Sequence, residues 1–281
     1  MNTKLILVEG LPGFGKSTTA KLMHELLKEH DIENELFSEG NLNHPADYDG
    51  VAYYTNEEFE KLLSANTEYA TILIENAKQQ ENGTFISYQK MKSTNHSSLP
   101  DDVYTLLSKN DIYELPLDIH IPLMINNWWE FVQHALKSHK TYIFECCLIQ
   151  NPITISMIKY NASSDIVSDY ILQLAKIIEP LNPLLIYVDQ ENLHASFEKA
   201  YKERDNNWAE GFIDYYTNQG YGKANDYTGV EGTLKVLEAR KLLENEIVDQ
   251  IDFMTVRVNN SSYNFTQYKT MLEVIVKEKV I

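Results

Sequence analysis

Short unbroken apolar runs alternate with stretches of helical rhythm along this chain. Residues 4–10, KLILVEG, are apolar at every position from Leu5 to Val8, the pattern of a strand buried on both faces. Residues 16–30 then place Ala20, Met23, Leu26 and Leu27 on one stripe, which predicts an amphipathic helix. NELFSE reads as a second strand, KTYIFECC as a third, PLLIYVD as a fourth and FMTVRVNN as a fifth. Between them lie SSDIVSDYILQLAKIIEP, whose Ile166, Tyr170, Leu174 and Ile177 are expected on one helical face, and the helical segment ENLHASFEKAYKER. A further helical run covers about 233–249, and TQYKTMLEVIVKEKV closes the chain as a last helix. Strands alternating with helices predict an α/β fold in three layers, a five-stranded parallel sheet flanked by helices.

Two segments interrupt the alternation. Residues 41–137 read as mostly helical: Thr55 and Glu58 have capping-box spacing, TEYATILIENAKQQ and PLMINNWWEFVQHALKSHK keep helical rhythm, and polar 82–100 reads as a loop. Trp128 and Trp129 are expected in the core, with the alternative that one of them lines the acceptor cleft. Residues 205–229 are aromatic and punctuated by glycine, carrying Trp208, Phe212, Tyr215, Tyr216, Tyr221 and Tyr227. The expectation is one domain, with a core of about 1–40, 138–204 and 250–281, an acceptor-binding insertion of about 41–137 and a lid of about 205–249.

The chain has 281 residues, 43% hydrophobic and 23% charged, an ordinary globular composition. Its formal charge of −17 repels polyanions at long range, which argues against nucleic-acid or anionic-membrane partners. The LILV run is far shorter than a signal-peptide core, no run of about 18 apolar residues occurs, and the two cysteines, Cys146 and Cys147, are adjacent and build no disulfide framework. These features predict a cytoplasmic protein, and the sequence is silent on oligomeric state.

One stretch changes this picture: VEGLPGFGKSTTAKL, residues 8–22. Gly10, Gly13, Gly15, Lys16 and Ser17 fit the phosphate-cradle pattern G-x-x-x-x-G-K-[ST], set between a strand and a helix as that pattern requires. Glycines allow a tight turn whose N–H groups face inward, and here Phe14 and Thr18 contribute theirs as well; Lys16 reaches the terminal phosphates and the Ser17 hydroxyl ligates Mg²⁺. The helix that begins there adds the positive end of its dipole. Local chemistry of this kind lets an acidic protein bind a polyanion, with ATP the expected nucleotide. A GTPase reading fares poorly: DYDG at 47–50 and DYTG at 226–229 follow no apolar strand, and no N-K-x-D occurs.

GLPGFGKSTTAKL, with LLIYVD and FEKAYKER, resembles the P-loop kinases of the nucleoside and nucleotide kinase group and related small-molecule phosphotransferases. SEGNLNHPADYDG is similar to uncharacterised bacterial P-loop ATP-binding proteins. The first resemblance implies transfer of the ATP γ-phosphate, with Mg²⁺, to a small-molecule hydroxyl or phosphate. It also implies a strand-end carboxylate beside the cradle; Glu145 and Asp189 both end apolar runs, and the resemblance favours Glu145. Glu39, His44 and Asp47 lie after the second strand, where a carboxylate would accept the acceptor's proton, and Asp47 is the chosen base; the alternative is that His44 and Asp47 shape a turn around Pro45. Of the three arginines, Arg204 ends the helix where lid arginines stand in the resembled kinases. Arg240 reads as a surface ion-pair member, and Arg257 carries no assignment. Other readings are an ATP-binding switch or slow ATPase acting on a protein partner, and a kinase of macromolecules or nucleotide-sugars.

Overall fold

A computed structural model describes residues 3–81, 83–94 and 99–281. In chain order its strands are β1 (Leu5–Glu9), β2 (Asn34–Phe37), β3 (Ala52–Tyr54), β4 (Ala77–Gln80), β5 (Gly83–Ile86), β6 (Thr141–Glu145), β7 (Leu184–Asp189) and β8 (Met254–Asn259). The chain divides into two compact units, one of residues 1–39 and 125–281 and one of residues 40–124.

The first unit is built on a five-stranded, wholly parallel sheet in the order β2-β6-β1-β7-β8. All five residues of β1 and of β6 are buried. Since successive side chains point to opposite faces, both faces of the sheet are covered, which gives the three layers expected of a P-loop kinase-like fold. Helix Lys16–Glu29 packs on β1 and β6 and against helix Phe265–Lys279, while helix Gly229–Val248 packs against Ser164–Ile178, Leu193–Glu203 and Asn206–Thr217. From β1 the chain runs toward β2 on one side of the sheet, and from β6 it runs toward β7 on the other. Connections therefore diverge between the carboxyl ends of β1 and β6, where ligands bind in sheets of this kind.

Helix Ser164–Ile178 buries Val167, Tyr170, Ile171, Leu174, Ala175 and Ile178, whereas Ile166 is 48% exposed. The buried stripe is thus displaced from the one expected, because an apolar residue in the first helical turn need not face the core. Trp128 is fully buried against Phe131 and Phe144, but Trp129, also expected in the core, is 54% exposed.

The second unit is not purely helical. Its three-stranded antiparallel sheet has the order β3-β5-β4, with Ala52 opposite Ile86 and Lys78 opposite Phe85. The segment expected to continue as helix through Gln80 ends its helix at Glu75 and turns into β4. Polar 82–100, expected as a loop, holds β5 and helix Tyr88–Ser93, with residues 82 and 95–98 outside the described residues. Three- and four-residue strands are too short to leave a periodic trace in a sequence. The capping box forms as expected: Thr55 Oγ1 accepts the Glu58 N–H at 3.3 Å and Glu58 Oε2 accepts the Thr55 N–H at 2.9 Å. Among the described residues no helix is long and apolar enough to cross a membrane.

Candidate functional site

The loop between β1 and helix Lys16–Glu29 is shaped by backbone that only glycine tolerates. Gly10 has φ 138°, and a Cβ there would run into the Val188 carbonyl oxygen of the neighbouring strand. Gly15 is the helix N-cap at φ 98°, with no side chain capping the first turn and no acidic residue within it. The first N–H groups of the helix are consequently left for an outside acceptor. Asn260 Nδ2 donates to the Phe14 carbonyl at 3.0 Å and fastens the loop to the end of β8. Lys16 is 5% exposed and donates to the Leu11 carbonyl at 3.0 Å, across the concavity of its own loop.

Opposite the loop stands the end of β6. The Ser17 hydroxyl donates to Glu145 Oε1 at 2.5 Å, and the Glu39 N–H donates to Glu145 Oε2 at 3.4 Å. Glu145 is 2% exposed, so its two oxygens are held on fixed donors. Beyond it the chain turns sharply at Cys146, φ 71°. The turn is pinned from below by Glu9, the last residue of β1, which accepts the N–H of Leu148 at 2.7 Å and of Gln150 at 3.0 Å. Burial pushes the Glu9 carboxyl up to about 7, against the N–H groups of Gln150, Leu148 and Ile149 that pull it down. Gln150 Nε2 in turn donates to Glu39 Oε1 at 2.7 Å. Burial likewise raises the Cys146 thiol well above its ordinary value, and both cysteines are buried.

These groups open on a cavity of about 610 Å³, within the range of small-molecule sites. Lys16, Ser17, Thr18, Glu39, Glu145, Gln150, Lys199 and Arg204 all line it. Arg204 caps the end of helix Leu193–Glu203, with its guanidinium 4.1 Å from the Trp208 ring centre. Lys199 sits 3.4 Å from the Tyr263 ring centre. Trp208, Phe212, Tyr215 and Tyr216 add an aromatic wall. That wall is the ordered helix Asn206–Thr217, in which Phe212 and Tyr216 stack at 4.2 Å.

Behind the wall, Arg240 is fully buried, not on the surface as its acidic neighbours in sequence imply. Its Nε donates to Glu244 Oε1 at 2.7 Å, Nη1 to the Tyr216 hydroxyl at 2.8 Å and the Thr154 hydroxyl at 3.0 Å, and Nη2 to the Gln150 carbonyl at 3.3 Å. The Tyr187 hydroxyl donates to Glu244 Oε2 at 2.7 Å. Burial alone would depress the Arg240 pKa, yet the Tyr216 and Glu244 oxygens around it hold it above its ordinary value.

The remaining sequence candidates have partners of their own. Asp189 pairs with Lys241 at 2.7 Å and accepts the Gln190 N–H, so of the two strand-end carboxylates it is Glu145 that faces Ser17. Asp47 and His44 belong to the second unit. Asp47 Oδ1 accepts the Tyr48 N–H at 2.7 Å and the Tyr113 hydroxyl at 2.6 Å. His44 Nδ1 accepts the Ala46 N–H at 3.1 Å, and burial lowers its pKa to about 3, leaving it neutral. Arg257 pairs with Asp249 at 2.8 Å. Sequence reasoning missed Glu9, Gln150 and the buried role of Arg240. For Glu9 a signal existed, a carboxylate ending an otherwise apolar strand, which demands partners; a lone glutamine carries none.

Two carboxylates, a thiol and a hydroxyl meet at this point: the ligand atoms of Glu39, Glu145 and Cys146 lie within 4.8 Å of one another, beside Ser17. The oxygen pair of Ser17 and Glu145 suits a hard divalent ion that keeps most of its waters. No family model matches the chain and no curated protein matches it. Among solved structures it is similar to a thymidylate kinase from Candida albicans, at 15% identity and a TM-score of 0.43, over 98% of this chain and 92% of that one.

Proposed function

We propose that the chain is a Mg²⁺-dependent kinase, which binds ATP on the loop of residues 10–18 and passes its γ-phosphate to a small acceptor bearing a hydroxyl or phosphate group. The observation that carries this reading is the 2.5 Å pairing of Ser17 with Glu145, at the mouth of a glycine loop whose first helical N–H groups are uncapped. Ser17 and Glu145 are the groups that would hold the ion, and Mg²⁺ there would neutralise charge on the phosphoryl oxygens. Lys16 needs only to exchange its hydrogen bond to Leu11 for one to a phosphate oxygen. Arg204, half-stacked on Trp208, brings a planar cation to the same cavity and matches charge that spreads over the transferring group. An aromatic wall closing over the cavity would limit water and favour transfer over hydrolysis.

The test is incubation with γ-labelled ATP, Mg²⁺ and a fractionated metabolite extract, with Lys16→Ala as control. Label on a small molecule that disappears in Lys16→Ala supports the reading. Tight ATP binding with no labelled product across broad extracts replaces it with the ATP-binding switch or slow ATPase.

A further inference from the structure

Resting on the kinase reading above, we infer that the phosphoryl acceptor is an uncharged hydroxyl compound, not a phosphate ester, and that Gln150 is the residue that reads its hydroxyl. Gln150 lines the cavity yet is 7% exposed. Its main chain is fixed from three sides: the N–H on Glu9, the carbonyl under the Thr154 hydroxyl at 2.7 Å and under Arg240. The orientation of its amide follows from its partner. Glu39 Oε1, at 2.7 Å, only accepts, so the atom facing it must be the amide NH₂; the opposite orientation would set two oxygens against each other. The other end of the amide is therefore Oε1, and that oxygen is buried with no hydrogen-bond partner among the described residues. A buried acceptor left unpaired is costly, and a site that leaves one is shaped for a ligand that donates.

The surroundings sharpen the class of donor. Among the described residues, the elements that carry Glu39, Glu145 and Gln150 bring carboxylates, amides and a threonine to the cavity but no cation; the described cations of its lining are Lys16 on the loop and Lys199 and Arg204 at the far helix. On the kinase reading those three serve the phosphates of ATP. An acceptor phosphate would bring two negative charges and no donor to a wall already holding Glu39 and Glu145. A neutral hydroxyl meets it on better terms. Its hydrogen pairs with Gln150 Oε1 once the amide turns that buried oxygen toward the cavity. In the transfer, the hydroxyl oxygen bonds to the γ-phosphorus as the bond from that phosphorus to the β,γ-bridging oxygen breaks. ADP leaves with the bridging oxygen, and the hydroxyl proton passes to an oxygen of the transferred phosphoryl group.

The experiment divides a small-molecule extract in two, treats one half with phosphatase, removes the phosphatase by filtration, and adds protein, Mg²⁺ and γ-labelled ATP to each. Labelled product undiminished in the dephosphorylated half is the expected result. Label confined to the untreated half leaves the kinase reading standing and overturns this one. Label in neither half overturns both. With the acceptor so isolated, Gln150→Leu is expected to raise its KM at least tenfold, while the affinity for ADP and Mg²⁺, measured by calorimetry, stays within twofold. Equal losses of both would make Gln150 a structural residue only. Should Gln150→Leu not fold, the two extract halves decide with the unaltered protein.

Discussion

Replacing Arg240 by methionine is the sharpest test of how the first unit is held together. The substitution keeps most of the volume but removes a guanidinium that is fully buried and spends donors on Glu244, Tyr216, Thr154 and the Gln150 carbonyl. What remains is a Glu244 carboxylate, also fully buried, whose Oε2 still receives the Tyr187 hydroxyl but whose charge has no counter-ion. Breaking a buried pair by removing one partner costs about 3–5 kcal/mol. At about 2–4 °C per kcal/mol for chains of this size class, that corresponds to a fall in Tm on the order of 10 °C. The assay is urea denaturation followed by tryptophan fluorescence, run on Arg240→Met, Glu244→Leu and the double variant. The double variant should be markedly more stable than either single, because it leaves no orphaned charge. A loss under about 1 kcal/mol in Arg240→Met, or a double variant whose cost is the sum of the singles, would refute a buried, mutually dependent pair; about 1 kcal/mol is the ceiling for an exposed one.

Glu9 gives a pH signature of the opposite sign to an ordinary carboxylate. With its folded pKa up to about 7 against 4.5, the folded chain keeps a proton that the unfolded chain has released between those values. Stability from this group is therefore complete below pH 4.5 and is lost as pH rises through 7, by about 1.4 kcal/mol per unit and about 3 kcal/mol in all. Comparing the unaltered protein with Glu9→Gln by denaturation from pH 5 to 8 isolates the slope from the opposite one expected of buried His44; a difference curve that is flat or rises with pH counts against it. On the proposed kinase reading, Arg204→Ala should leave ATP affinity within a few-fold and lower turnover by orders of magnitude, since its guanidinium rests on Trp208 and would serve the γ-phosphate chiefly as charge spreads during transfer. Parallel loss of affinity and turnover would assign it to ground-state binding.

What the sequence discloses follows from how far apart the interacting residues are. The central strands β1, β6 and β7 are legible because a strand buried on both faces is apolar almost throughout, as LILV and LLIYV are, whereas the edge strands β2 and β8 are only partly buried. The glycine loop is legible because its chemistry is contiguous. Strands β3, β4 and β5 are not, since each is four residues or fewer, neither β4 nor β5 forms an unbroken apolar run, and β3 finds its partner β5 far along the chain. Arg240 shows in sequence only its i+4 partner Glu244; Thr154 and Tyr216, which bury it, lie 86 and 24 residues away. The same distance hides Gln150, whose meaning depends on Glu39, 111 residues earlier.

Two of the features that sequence reading missed, Glu9 and the buried Arg240, act on one turn. Glu9 holds the N–H groups of Leu148 and Gln150 from the end of β1, and Arg240 holds the carbonyl of Gln150 from behind the aromatic wall. Glu145 at one end of that turn faces Ser17, and Gln150 at the other faces Glu39. Such double fixing reduces the reorganisation needed when charge shifts at the site, the condition under which fixed dipoles are most effective. It also ties fold to function in a particular order. Loosening Arg240 releases Tyr216, Thr154 and the Gln150 carbonyl together while Glu145, borne on a strand buried throughout, keeps its place. Arg240→Met should then lose acceptor selectivity at temperatures well below its own Tm, before nucleotide binding on the glycine loop is affected.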